Sequence, residues 1–98
     1  MWEITRDLIE KGRNEGITSK DWLRDVDLNF EYRLLDDDGK VYYYGISNDC
    51  NSQKAFAPLD DFGRDAGCTA IQYRQTYFTI LVPNCRLWGK KKGEWVTL

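Results

Sequence analysis

The sequence predicts an α+β fold that is mainly β: a small antiparallel sheet of about five strands with two or three short helical segments. Three observations carry that prediction. Residues 28–46 read as a hairpin whose turn is spelled out, and residues 69–82 are rich in Ile, Tyr, Thr, Phe and Val. The stretches with helical spacing are short and are interrupted by glycine. A chain of 98 residues makes one domain, 1–98, with a single modest core.

Trp2-Glu3-Ile4-Thr5 starts as a strand. Thr5 is then suited to cap a short helix over Arg6 to Lys11, ended by Gly12, with 12–16 as a loop. Thr18-Ser19-Lys20-Asp21 reads as a second cap, followed by Trp22, Leu23 and Val26 at helical spacing.

The hairpin comes next. A three-residue loop, Asp37-Asp38-Gly39, uses Gly39 for the left-handed position and sets Asp36 opposite Lys40. The register then pairs Leu34 with Tyr42, Tyr32 with Tyr44 and Phe30 with Ile46, all on one face. Glu31, Arg33, Leu35, Val41 and Tyr43 fall on the other. A two-residue loop at Asp38-Gly39 would instead pair Arg33 with Tyr44. It scatters the apolar set, so the first register is preferred.

Ser47 to Ala57 is a polar loop. Pro58 opens one helical turn, with Asp60 and Asp61 at its N-terminal end and Leu59, Phe62 and Ala66 turned inward. Residues 69–82 are β, as one strand or as two with a bend near Arg74-Gln75. Pro83-Asn84 marks a turn. A closing hairpin of 85–88 with 94–98, looped at Lys90-Lys91-Lys92-Gly93, would set Trp88 opposite Trp95.

Composition excludes several classes of function. With 42% hydrophobic and 14% aromatic residues, the chain is built to fold rather than to stay disordered. No apolar run approaches the roughly 20 residues that span a bilayer, and the N-terminus lacks a signal-peptide plan, so a cytoplasmic protein without a membrane partner is expected. Cys50, Cys68 and Cys85 are odd in number and widely spaced, which fits reduced thiols. No histidine is present to complete a zinc site or activate a thiol, and no metal or other cofactor is expected. Asp36-Asp37-Asp38-Gly39 lacks the alternating carboxylates and twelfth-position glutamate of a calcium loop, so the hairpin turn accounts for it.

Leu35-Asp36-Asp37-Asp38-Gly39, Phe56-Ala57-Pro58-Leu59-Asp60-Asp61-Phe62-Gly63 and Ala66-Gly67-Cys68-Thr69 together resemble a pattern in small uncharacterised bacterial proteins. These tend also to open Trp-x-Ile-Thr and to close on a Trp-containing strand. The resemblance covers most of the chain. It implies a bacterial or mobile-element cytosolic protein and supplies no catalytic residues.

Three site readings follow. Asp60, Asp61 and Asp65 offer carboxylates for acid–base work, although helix-end electrostatics explains them more simply. Lys90, Lys91 and Lys92 beside Trp88 and Trp95 have the cationic and stacking character of a single-strand nucleic-acid contact. Against that stands the charge of residues 1–65, with 9 Lys/Arg against 15 Asp/Glu, while 66–98 hold 5 against 1. The preferred reading is a non-catalytic protein that binds another protein, as an inhibitor or accessory factor of a phage or mobile element. Arg33 and Tyr43, flanked by Glu31, form its candidate patch, because Arg and Tyr recur at binding hot spots. Exposed sheet edges are a second route to a partner. The protein itself is expected to be a monomer or weak homodimer.

Overall fold

The computed structural model describes residues 1–24, 26–49, 53–74 and 93–98. Among these residues five strands form one antiparallel sheet: β1 (Trp2–Asp7), β2 (Phe30–Leu35), β3 (Val41–Ser47), β4 (Ala70–Arg74) and β5 (Trp95–Thr97). Their order across the sheet is β1-β3-β2-β4-β5. One short bent helix packs beside them, a 3-10 turn at Gln53–Phe56 leading into a π turn at Leu59–Gly63. The π turn is closed by the Arg64 N–H donating to the Leu59 carbonyl at 2.9 Å. The fold class is the expected mainly β, α+β arrangement.

Around its turn the hairpin follows the expected register. The Asp36 N–H donates to the Lys40 carbonyl at 3.0 Å, and Gly39 takes φ 81°. One Asp36 carboxylate oxygen accepts the N–H groups of Asp38 and Lys40, both at 2.9 Å, so this aspartate is the turn's own scaffold. Leu35 lies opposite Val41. One residue further on the register shifts, and Leu34 faces Tyr43, Arg33 faces Tyr44, and Phe30 faces Ser47.

This corrects the predicted pairing. Tyr42 is the extra residue of a β-bulge, and its carbonyl is turned out to accept the Leu8 N–H at 2.9 Å. A partner from a distant loop, invisible in the hairpin's own sequence, thus sends every residue after Tyr42 to the opposite face. Tyr43, expected on the outer face beside Arg33, is a core residue, only 2% exposed.

The inner face carries Trp2 and Ile4 from β1, Phe30, Tyr32 and Leu34 from β2, Tyr43 from β3, and Ile71 and Tyr73 from β4. Ala55, Leu59 and Cys68 complete the core cluster, with Phe62 packed against it. Buried phenols find acceptors, as burial demands: Tyr73 donates to the Ala55 carbonyl at 2.7 Å and Tyr32 to the Glu3 carbonyl at 3.0 Å.

Two predicted helices are replaced by turns. Beyond β1 the Asp7 carboxylate, 6% exposed, accepts the N–H groups of Ile9, Glu10 and Asn14 and the Asn14 side-chain amide. That competition for backbone donors folds residues 8–16 into a run of turns instead of a helix from Thr5. Thr18, expected to cap a helix, bridges to Glu3 as a strand would, and Leu23 is left 62% exposed. Residues 16–19 bond along β1 and cover that edge of the sheet, which removes it as a docking edge. The predicted turn at Pro83-Asn84, the bend at Gln75 and the pairing of Trp88 with Trp95 lie outside the described residues. Trp95 itself lies opposite Arg74.

Candidate functional site

The outer face of the sheet gathers charged and aromatic side chains from four strands. Alternation sends Glu31 and Arg33 of β2, Tyr44 of β3, Gln72 and Arg74 of β4, and Trp95 and Thr97 of β5 to this side. Trp95 stands on β5, and its indole reaches past β4. The Arg33 guanidinium carbon sits 4.3 Å from the centroid of its ring, and the Tyr44 ring is 6.0 Å away, tilted by 56°.

Arg33 is oriented from below. Its Nε–H donates to Gln72 Oε1 at 2.7 Å, and Gln72 in turn donates through Nε2 to the Thr97 hydroxyl at 2.9 Å. Beside this relay Glu31 and Arg74 approach to 3.7 Å, with both side chains well exposed. A partly solvated pair of that kind contributes little to folding, roughly 0–1 kcal/mol, but it fixes charge positions on the surface. The result is a tyrosine–tryptophan–arginine cluster, half-buried and held by hydrogen bonds across three strands.

Of the predicted protein-binding residues, Glu31 and Arg33 share this face and Tyr43 does not. Tyr44 takes its place. The signal for Tyr44 lay in the alternative register that pairs it with Arg33, and the bulge lets both registers hold, one on each side of Tyr42. Trp95, expected beside the lysine loop as a nucleic-acid contact, joins the same cluster. Trp88, Lys90, Lys91 and Lys92 lie outside the described residues.

The carboxylates considered for catalysis are dispersed in role. Asp60 pairs with Arg64 at 3.1 Å, Asp61 accepts the Trp2 indole N–H at 3.3 Å, and Asp65 is exposed. Among the described residues, no three or more acidic or thiol side chains converge to hold a metal ion. Cys68 is 2% exposed, and burial, helped by the Asp36 charge, pushes its thiol up to about 11, far from the range of a nucleophile. No helix among the described residues is long and apolar enough to cross a membrane. No protein-family model matches the chain, and comparisons with curated proteins and with solved structures return no match.

Proposed function

We propose that this chain is a non-catalytic protein-binding module, an inhibitor or accessory factor, that meets its partner through the outer face of its sheet. The observation that carries this reading is the Arg33 guanidinium stacked 4.3 Å over Trp95, with Tyr44 alongside. Arg, Trp and Tyr are the residue types that dominate binding hot spots, since they present large area with few rotors. Here the costliest of the three to order, Arg33, is held by Gln72 before any partner arrives. The surrounding Glu31, Arg74 and Thr97 supply the polar rim that such a centre needs.

The test is capture from lysate of the source cell by the tagged wild-type chain and by Trp95→Ala and Arg33→Ala, with and without nuclease, read by mass spectrometry. A partner protein retained through nuclease treatment and lost with both variants supports the reading. A partner held equally by all three chains rejects this surface. Capture that disappears with nuclease transfers the function to single-stranded nucleic acid, for which Trp95 and its arginine neighbour would serve as the stacking site.

A further inference from the structure

On the other side of the sheet, two hollows lie between residues 9–21 and the bent helix. The wider, about 550 Å³, is lined by Trp2, Ile17, Ala57 and Phe62 together with polar groups that include Lys54 and Asp61. The narrower, about 380 Å³, is lined by Ile9, Tyr43, Phe62 and Ala66 with Glu10, Asp61 and Asp65. Asp61 and Phe62 belong to both, so the hollows meet at that pair. Phe62 sets its ring 5.0 Å from Tyr43 on one side and 6.2 Å from Trp2 on the other, an aromatic wall shared by both spaces.

The chemistry of the narrower hollow is one-sided. Three carboxylates line it and no lysine or arginine does, although Arg13 approaches Glu10 to 3.9 Å from the exposed side. Its aromatic wall, the partly buried Phe62 backed by the buried Tyr43, offers ring surface of the kind that attracts cations. Burial and the neighbouring Asp7 and Glu10 carboxylates hold the Tyr43 phenol above its ordinary range, as expected where negative potential accumulates. Each hollow also has one exposed isoleucine in its lining, Ile9 or Ile17, both 38% exposed. An occupant with an apolar stem and a cationic head matches the apolar surface and the carboxylates of the narrower hollow, and arginine and lysine side chains are built that way.

We propose that this groove docks a basic segment of a partner protein, its arginine or lysine side chain entering the narrower hollow and a nearby large apolar side chain the wider one. The site stands apart from the outer sheet face and does not depend on it. In an extended segment, residues two apart point to the same side, so the fitting pattern is a basic and an apolar residue separated by one position.

The test is a nitrogen-15 NMR titration of the full chain with the blocked peptide acetyl-Leu-Gly-Arg-Gly-Leu-amide. Its counterpart, with citrulline in place of arginine, keeps the shape and removes the charge. The Trp2 indole N–H, which is bonded to Asp61, reports on the junction of the hollows, and the Ala66 amide reports on the narrower one. The arginine peptide should shift both signals saturably. The citrulline peptide, and the arginine peptide against Glu10→Gln or Asp65→Asn, should bind about tenfold more weakly. Both substituted side chains are exposed, so the fold is retained. Equal binding of the two peptides, unmoved Trp2 and Ala66 signals, or shifts confined to Arg33, Tyr44 and Trp95 would each overturn the proposal.

Discussion

The Tyr32 hydroxyl donates to the Glu3 carbonyl by crossing directly over Gly45 of β3, which lies opposite Tyr32 of β2 and opposite Ile4 of β1. A Cβ at position 45 would collide with both the end of the Tyr32 ring and the Glu3 carbonyl. The glycine is therefore needed for close approach, not for backbone freedom. Gly45→Ala should destabilise the fold by about 3 kcal/mol, read as a lowered urea midpoint. Adding Tyr32→Leu, which withdraws the ring, should recover part of that loss. A Gly45→Ala chain as stable as wild type would refute this account of the sheet's centre.

Asp7 makes stability depend on acid. Burial works to raise its pKa, but the N–H donors of Glu10, Ile9 and Asn14 outweigh it and hold the carboxyl below the ordinary aspartate range. A folded pKa below the unfolded one means that the unfolded chain binds more protons in acid. The stabilisation is complete above about pH 4 and drains away as pH falls through the folded value. Asp21 and Asp36 are lowered too and act in the same window, so the comparison with a variant isolates Asp7. Asp7→Ala should cost about 1–3 kcal/mol at neutral pH, and that difference should shrink in urea titrations as the pH is lowered toward 2.

The fold class and the turn of the hairpin were legible because they are local. Asp37-Asp38-Gly39 needs only its own residues to close, and the bonds to Asp36 confirm that closure. The register beyond it was not legible, since the bulge at Tyr42 is stabilised by Leu8, far away in the chain. That one displaced residue moved Tyr43 to the core and brought Tyr44 to Arg33, so Glu31 and Arg33 lie on the expected outer face and Tyr43 on the opposite one. The helix expected after Thr5 failed for a related reason. Capping propensity cannot show that Asp7 has richer bonding available in a turn.

Tyr73 ties the sheet to the bent helix through its bond to the Ala55 carbonyl, both residues being fully buried. Tyr73→Phe keeps the ring and removes that buried bond, which should cost about 1 kcal/mol. The Ala55 region should then exchange its amide hydrogens faster than in wild type. Unchanged exchange would mean that packing alone holds the helix in place.

Cys68 should resist iodoacetamide at pH 8 while the protein is folded and react promptly once urea unfolds it. Peptide mapping by mass spectrometry follows that site alone. Burial and a thiol pushed up to about 11 both keep the thiolate scarce in the folded state. Modification at Cys68 in the native protein as fast as in urea would contradict this packing.

Arg33→Ala tests what its stack contributes. A half-buried cation over an aromatic ring is worth about 0.5–2 kcal/mol, so folding should survive with a slightly lower thermal midpoint. Partner capture should fall much further than stability. A variant that unfolds outright would make Arg33 a structural residue.

The strand-like run at 16–19 has a bearing on how the protein behaves in a crowded solution. Gly16 N–H reaches the Ile4 carbonyl at 2.8 Å, Ile4 N–H the Ile17 carbonyl at 2.8 Å, and Ser19 N–H the Trp2 carbonyl at 2.9 Å. Without these bonds, β1 would offer a bare row of donors and acceptors to any neighbouring chain, the geometry from which fibrils grow. Gly16, at φ 90°, is the hinge that turns the chain back along that row. The short return segment thus occupies the edge along which another chain could pair, and loosening it should show first as turbidity.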